Sequence, residues 1–444
     1  MGLGKKIGIG VGALLGVVVL AAGGGYVWAS SAAETKLAET FEVHRVDFPI
    51  PFPLTEAELD SLRRERAVTS GGAADPLAGV DLAALAHERA VARGKHLTPG
   101  LFGGFSDMGL EEVSAEKSTV DSAVEIPGTG VPQTRPEFDV TLAYNPASIL
   151  LPVARLGGLT FTALSASGGG SLIAGQGGVM RLDGDPSAAT IGSKILFINL
   201  GAGADGMSGG SRAAQYMLLE QAIREARGQS PYGAPYQLLT PTGRETLARY
   251  LAGGRVVFNV ERAADIRQLL AFCRRHSLRP LITGGSEAWK VAAELKAANA
   301  TVFLDALQNL PSSFDQLGSR LDNAAVLARA GVAVAFLSPD GSHNARKIRQ
   351  GAGNAVANGL PWEDGLAAIT RVPAQALGVG DRVGRIEPGL EADLALWDGD
   401  PLELTTLAEQ VWMHGRPMPM RSRQTELRDR YLAPATDLPR AYSR

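Results

Sequence analysis

From Thr98 to about Leu377, short runs rich in β-branched and aromatic residues alternate with stretches of helical period. The first kind includes "DVTLAY", "LTFTALSA", "KILFINL", "RVVFNV", "RPLITG", "ATVFLDA" and "VAVAFLS"; the second includes "SRAAQYMLLEQAIREARG", "RAADIRQLLAFCRRH" and "EAWKVAAELKAAN". Strand and helix in such alternation predict an α/β fold of parallel βα units, and this many units predict a closed (β/α)8 barrel over residues 98–378. Residues 379–422, "GRIEPGLEADLALWDGDPLELTTLAEQVWMHGRPM" at their heart, revert to short strands with turn signals and predict a small β unit. Residues 423–444 end in "RYLAPATDLPRAYSR", a polar, proline-broken tail.

Upstream of the barrel the texture differs. Residues 1–33 place Lys5 and Lys6 before an uncharged apolar run, long enough to cross the ~30 Å core of a bilayer as a helix. The lysines on the near side predict an N-terminus inside and the bulk of the chain outside the cytoplasm. The rival reading is a cleaved secretory signal, for which "ASSAA" offers small residues. Residues 34–97 form a leader: "FPIPFPL" must run extended, Thr55 and Glu58 stand at capping-box spacing, and Asp81 can cap a second amphipathic helix.

Composition narrows the chemistry. A net charge of -3 provides no basic field for nucleic acid. The single cysteine, Cys273, sits at helical spacing among apolar residues and reads as a buried structural thiol; it allows no intrachain disulfide and no cysteine-based metal centre. The six histidines form neither HxH nor HxxxH, and His44, His87, His96, His276 and His414 read as structural. Gly201, Gly203 and Gly206 have GxGxxG spacing after a strand, but the next helix starts only near Ser211, which argues against a dinucleotide site. "SASGGGSLIAGQGG" reads as a turn with free backbone amides.

Three segments together resemble a known family. "TPGLFGGFSDMGL", "GGLTFTALSASGGGSLIAGQGGVMRLDG" and "VGRIEPGLEADLALWDGDPLE…VWMHGRPM" are similar to the amidohydrolase superfamily, imidazolonepropionase-like branch, over residues 98–422. The resemblance implies a TIM-like barrel with a β-sandwich built from both chain ends, here short of its early strands. It also implies hydrolysis of C–N bonds at the C-terminal mouth, using a metal held by an HxH pair, a bridging Lys or Glu, two further histidines and a late aspartate. On this chain the HxH positions fall on Phe105 and Asp107, the next histidine on Asn259, and another on Gly284 or Gly285. Only the aspartate is retained, as Asp340, with His343 close behind.

Two outcomes stay open for those residues. Asp107, Asn259 and Asp340 offer a weak oxygen set, better matched to a hard divalent ion than to zinc. Without metal, Asp340 can act as a general base beside His343, or simply fix its loop with Gly341. The chain is thus either a hydrolase of a small amide substrate or a non-catalytic binding barrel, a pseudoenzyme facing the periplasm. Residues 1–97 separately resemble the leader of membrane-anchored bacterial c-type cytochromes, but one cysteine excludes CxxCH, so no haem is expected and electron transfer falls away.

Overall fold

The computed structural model describes residues 95–124, 134–167, 171–186, 190–229, 236–338 and 341–432. The expected membrane helix, the leader to residue 94 and the tail from 433 lie outside the described residues, as does Asp340. Among the described residues no helix is long and apolar enough to cross a membrane.

The chain enters through strand β1 (His96–Pro99) and passes at once into the barrel. The barrel strands are β2 (Leu101–Ser106), β3 (Leu159–Leu164), β4 (Ile173–Arg181), β5 (Thr190–Asn199), β6 (Arg255–Val260), β7 (Pro280–Gly284), β8 (Thr301–Leu304) and β9 (Ala333–Phe336), hydrogen-bonded in chain order. Three later strands, β10 (Leu394–Trp397), β11 (Ala408–Met413) and β12 (Arg416–Pro417), form with β1 a separate antiparallel sheet in the order β1-β10-β11-β12. The segment before the barrel therefore does supply one strand to the small β unit, His96 lying opposite Trp397 and Pro99 opposite Leu394.

The barrel is mixed, not wholly parallel: β4 runs antiparallel to both β3 and β5. Length explains the reversal. Only residues 165–172 separate β3 from β4, and only 182–189 separate β4 from β5, whereas a parallel crossover needs about a dozen residues or more. The second half of the glycine-rich segment expected to be a turn, Ile173–Gly178, therefore lies in strand β4. Its glycines permit close packing, since a Cβ on Gly177 would stand 1.9 Å from the Leu164 carbonyl oxygen. "DVTLAY" is a second correction: Val140–Ala143 is a 3-10 turn, because the Asp139 carboxylate accepts from Thr141 N at 3.1 Å and caps it.

The barrel is nearly closed. At the seam, Phe102 N donates to Ile369 O at 2.8 Å and Phe336 N donates to Ala368 O at 3.2 Å, so a crossing segment satisfies strands β2 and β9. Helices cover the outside: α1 (Leu150–Leu156), α2 (Arg212–Ala226), α3 (Pro241–Leu251), α4 (Ala263–His276), α5 (Ala292–Ala297), α6 (Asn323–Arg329), α7 (Ile348–Ala357), α8 (Trp362–Ala367) and α9 (Arg371–Leu377), with α10 (Arg423–Leu432) following the small sheet. Helix α3 starts where Pro241 follows Thr240, whose hydroxyl accepts from Gly243 N at 2.9 Å. Helix α4 buries Ile266, Leu269, Phe272 and Cys273 along one stripe and carries Arg274, Arg275 and His276 in its last turn, where the helix dipole favours cations. Burial pushes the Cys273 thiol up to about 12, which leaves it inert.

Candidate functional site at the barrel mouth

Strand alternation decides which side chains reach the barrel interior. Leu196, Ile198 and Val256 meet Leu219, Ile223, Leu247 and Phe272 of the outer helices, so Phe197, Asn199 and Asn259 turn inward. On β2 a register shift between Phe102 and Phe105, with Gly104 at φ +81°, aims both aromatics at the same interior. The Phe105 ring meets Phe303 at 4.8 Å, Phe197 at 5.6 Å and Phe102 at 6.1 Å, all edge to face. Such pairs each add roughly 0.5–1.5 kcal/mol beyond simple burial. An aromatic cluster thus fills the position where the family likeness expects the first metal histidine.

The other expected ligand positions are altered as firmly. Gly284 and Gly285 have φ of +90° and +64°, a backbone shape that disfavours any side chain. A Cβ on Gly284 would stand 2.6 Å from the Glu261 carboxylate, which fills that space and accepts from Ser286 N at 2.9 Å and Ser286 Oγ at 2.6 Å. Asn259 is solvent-exposed, in register with Asn199 and Thr283, and lines neither cavity described below.

Asp107 does reach a cavity. It lines a space of ≈ 220 Å³ with Phe105, Gly341 and six serines: Ser106, Ser122, Ser165, Ser167, Ser338 and Ser342. Asp107 and Ser342 bond reciprocally: Asp107 N donates to Ser342 Oγ at 2.9 Å and that hydroxyl donates to the Asp107 carboxylate. Ser106 Oγ pairs with Thr162 Oγ1 at 2.8 Å, whereas Ser338 Oγ is buried without a partner among the described residues. Glu111 stands against Asp107. Its carboxyl is pushed up to about 7 by the hydrogen bond with Asp107, then by loss of solvent and by the Asp107 charge. Glu111 therefore keeps its proton to near neutral pH and can donate it to the Asp107 carboxylate. Sequence reasoning missed Glu111; its i, i+4 spacing from Asp107 in "DMGLE" was the available signal.

His343 lies on the 3-10 turn Ser342–Lys347, exposed and outside the lining of this cavity. Across strand β9 a second cavity of ≈ 130 Å³ is lined by Glu261, Ser286, Asp305, Gln308, Gln316 and Asn323, among others. Among the described residues no three His, Cys, Asp or Glu side chains stand together as a metal group. Among the described residues the expected ligand positions fit a hydrolytic metal poorly: a phenyl ring, two glycines, the amide of Asn259, and one carboxylate already engaged by Ser342 and Glu111.

The loop with GxGxxG spacing is occupied by protein groups. Residues Ala202–Met207 form a 3-10 turn, Ala202 N donates to the Asp315 carboxylate at 2.8 Å, and Gly201 N donates to Gln215 Oε1 at 3.0 Å. A pyrophosphate would have to displace both. His276 pairs with Glu220 at 3.1 Å, a structural bond.

Part of the chain, and the fold of its barrel, are similar to known proteins. A family model described as "Amidohydrolase family" matches residues 316–419. An amidohydrolase of Hapsidospora irregularis is 36% identical over 85 residues, 19% of this chain and 9% of that protein. An imidazolonepropionase of Ruegeria sp. is 60% identical over 46 residues, 10% of this chain and 11% of that protein. The crystal structure of an amidohydrolase from Thermotoga maritima shares the fold, with a TM-score of 0.66 and 21% identity over 74% of this chain and 88% of that one. Residues 316–419 thus carry the likeness to the amidohydrolase family, and the barrel shares the fold of a solved amidohydrolase. Its matches to these two curated amidohydrolase relatives span about a tenth of their length.

Proposed function

We propose that this amidohydrolase-fold chain holds a small amide at the serine-lined mouth of its barrel without a hydrolytic metal, its ancestral C–N bond hydrolysis having given way to binding. The observation that carries the reading is the Phe105 ring, packed against Phe303 and Phe197 where a metal ligand is expected. A phenyl group offers no lone pair to a cation, and a hydrolytic zinc needs about three protein ligands plus an open position for water. Serine hydroxyls, by contrast, both donate and accept, which suits the N–H and C=O of an amide.

A second reading, retained hydrolysis with Asp340 as base beside His343, is supported by the hydrolase names of the relatives. One experiment separates the two: calorimetry and turnover assays of the purified chain with a panel of cyclic amides and dipeptides. Saturable binding without turnover, weakened by Ser165→Ala, is the expected result. Turnover abolished by Asp340→Asn would establish hydrolysis instead. The apolar run of residues 1–33 further supports an anchor that leaves the barrel on the periplasmic side. Retention in the membrane pellet after alkaline carbonate washing is expected, and release into the supernatant would contradict it.

A further inference from the structure

The opposite end of the barrel holds a cleft of ≈ 360 Å³, beneath the first residues of strands β8 and β9. That volume lies within the range of about 300–1,000 Å³ usual for small-molecule sites. Arg279, Lys296 and Arg371 converge on it, with a single carboxylate, Asp364. None of the three cations forms an ion pair or side-chain hydrogen bond among the described residues. Four other arginines contrast with them: Arg212, Arg262, Arg267 and Arg275 each reach a carboxylate within 3.0 Å. Three cations against one carboxylate leave a local excess of positive charge in a chain whose net charge is -3.

Local structure supports the convergence. The Lys296 side chain runs across Gly331, where a Cβ would lie 3.2 Å from its Cε and 3.3 Å from its Nζ. Gly331, at φ +77°, ends helix α6 and leaves that path open. Asn299 (φ +50°) and Gln375 add neutral amide donors to the rim, and the remaining wall is largely Ala, Val and Leu. A concave apolar wall concentrates the field of the charges above it. Two guanidinium forks match two oxyanion groups, and the lysine adds a point charge between ligand groups of the same kind.

We propose that this cleft binds a small polyanion carrying at least two oxyanion groups, either phosphate or carboxylate in kind. The site is separate from the barrel mouth, so its fate is independent of the amide-binding reading. Isothermal titration of the full chain in detergent, at low salt, tests it with pyrophosphate and citrate, and acetate as the singly charged control. Saturable 1:1 binding of pyrophosphate or citrate, but not acetate, is expected, weakening as salt rises. Arg371→Gln and Lys296→Gln should each weaken it about tenfold, while Asp364→Asn should tighten it severalfold, the sign expected from Coulomb's law. All three positions are exposed, so far-UV circular dichroism should not change. Preference for pyrophosphate assigns the ligand to phosphate compounds; preference for citrate assigns it to polycarboxylates. No saturable binding at millimolar concentration, equal binding of acetate, or indifference to the three substitutions would overturn the proposal.

Discussion

The first barrel strand and the segment Gly384–Leu394 both carry the amidohydrolase likeness, and the structure uses them in opposite ways. At the end of β2, Phe105 and Asp107 occupy ligand positions with an aromatic plug and a carboxylate bonded to Ser342. In the later segment, Glu391 and Asp393 flank the fully buried Arg181 of strand β4, paired directly by Glu391 and at 3.7 Å by Asp393. Asp393 also accepts from His414 N at 2.9 Å, and its own carbonyl accepts from Gly100 N at 2.8 Å, the residue between β1 and β2. Burial pushes the Asp393 carboxyl up, opposed by the His414 N–H and the Arg181 charge. The segment that joins barrel to small sheet is held by buried charges, whereas the end of the first barrel strand holds an aromatic ring where the likeness expects a ligand.

Substitutions measure the contrast. Arg181→Ala leaves the buried Asp393 without its arginine and Glu391 with Arg382 alone, and loss of one partner from a buried ion pair costs about 3–5 kcal/mol. Urea unfolding should show a loss of that size, whereas Asp107→Asn should cost little or stabilise. Equal costs would erase the distinction between the two segments.

A pair of glycine substitutions comes next. Gly177→Ala forces a methyl against the Leu164 carbonyl, 1.9 Å from the ideal Cβ, and should destabilise by about 1–3 kcal/mol. Gly203→Ala meets nothing within 4 Å and should stay within about 0.5 kcal/mol of the parent. A large effect at Gly203 would reopen the GxGxxG loop as a ligand site.

The smallest effect is one of pH. The Glu111 carboxyl is raised to about 7 in the folded chain, against about 4.3 when unfolded. Between those values the folded state holds the extra proton, so stability should fall as pH rises through the window and level off above it. Glu111→Gln removes the repulsion with Asp107, should flatten that slope, and should stabilise the protein at pH 8 by about 1 kcal/mol after solvent screening. An unchanged slope from pH 4.5 to 7 would mean that Glu111 does not hold its proton toward neutral pH.

Much of the barrel was legible because a long amphipathic helix or a run such as "RVVFNV" carries its own periodicity. The reversed strand β4 was not, because Gly175, Gly177 and Gly178 read locally as a turn, and only contact with Leu164 and Phe197 makes glycine the residue that fits a strand there. "DVTLAY" misled in the other direction: its β-branched residues are overruled by one capping bond from Asp139. At the mouth, the identity of Phe105 was plain from alignment to the family motif, but its partners Phe197 and Phe303 lie far off in the chain. The serine cavity was invisible for the same reason, being assembled from the ends of β2, β3 and β9 and from the loops that follow them.

Zinc titration of the Phe105→His/Asp107→His double variant bears most directly on the mouth of this barrel. With only an amide at Asn259 and no side chain at Gly284 or Gly285, two restored histidines should bind zinc no better than micromolar, and the parent chain should purify without stoichiometric metal. Nanomolar zinc affinity in the variant, or one divalent ion per parent chain, would contradict the claim that the donor set for a hydrolytic metal has been dismantled.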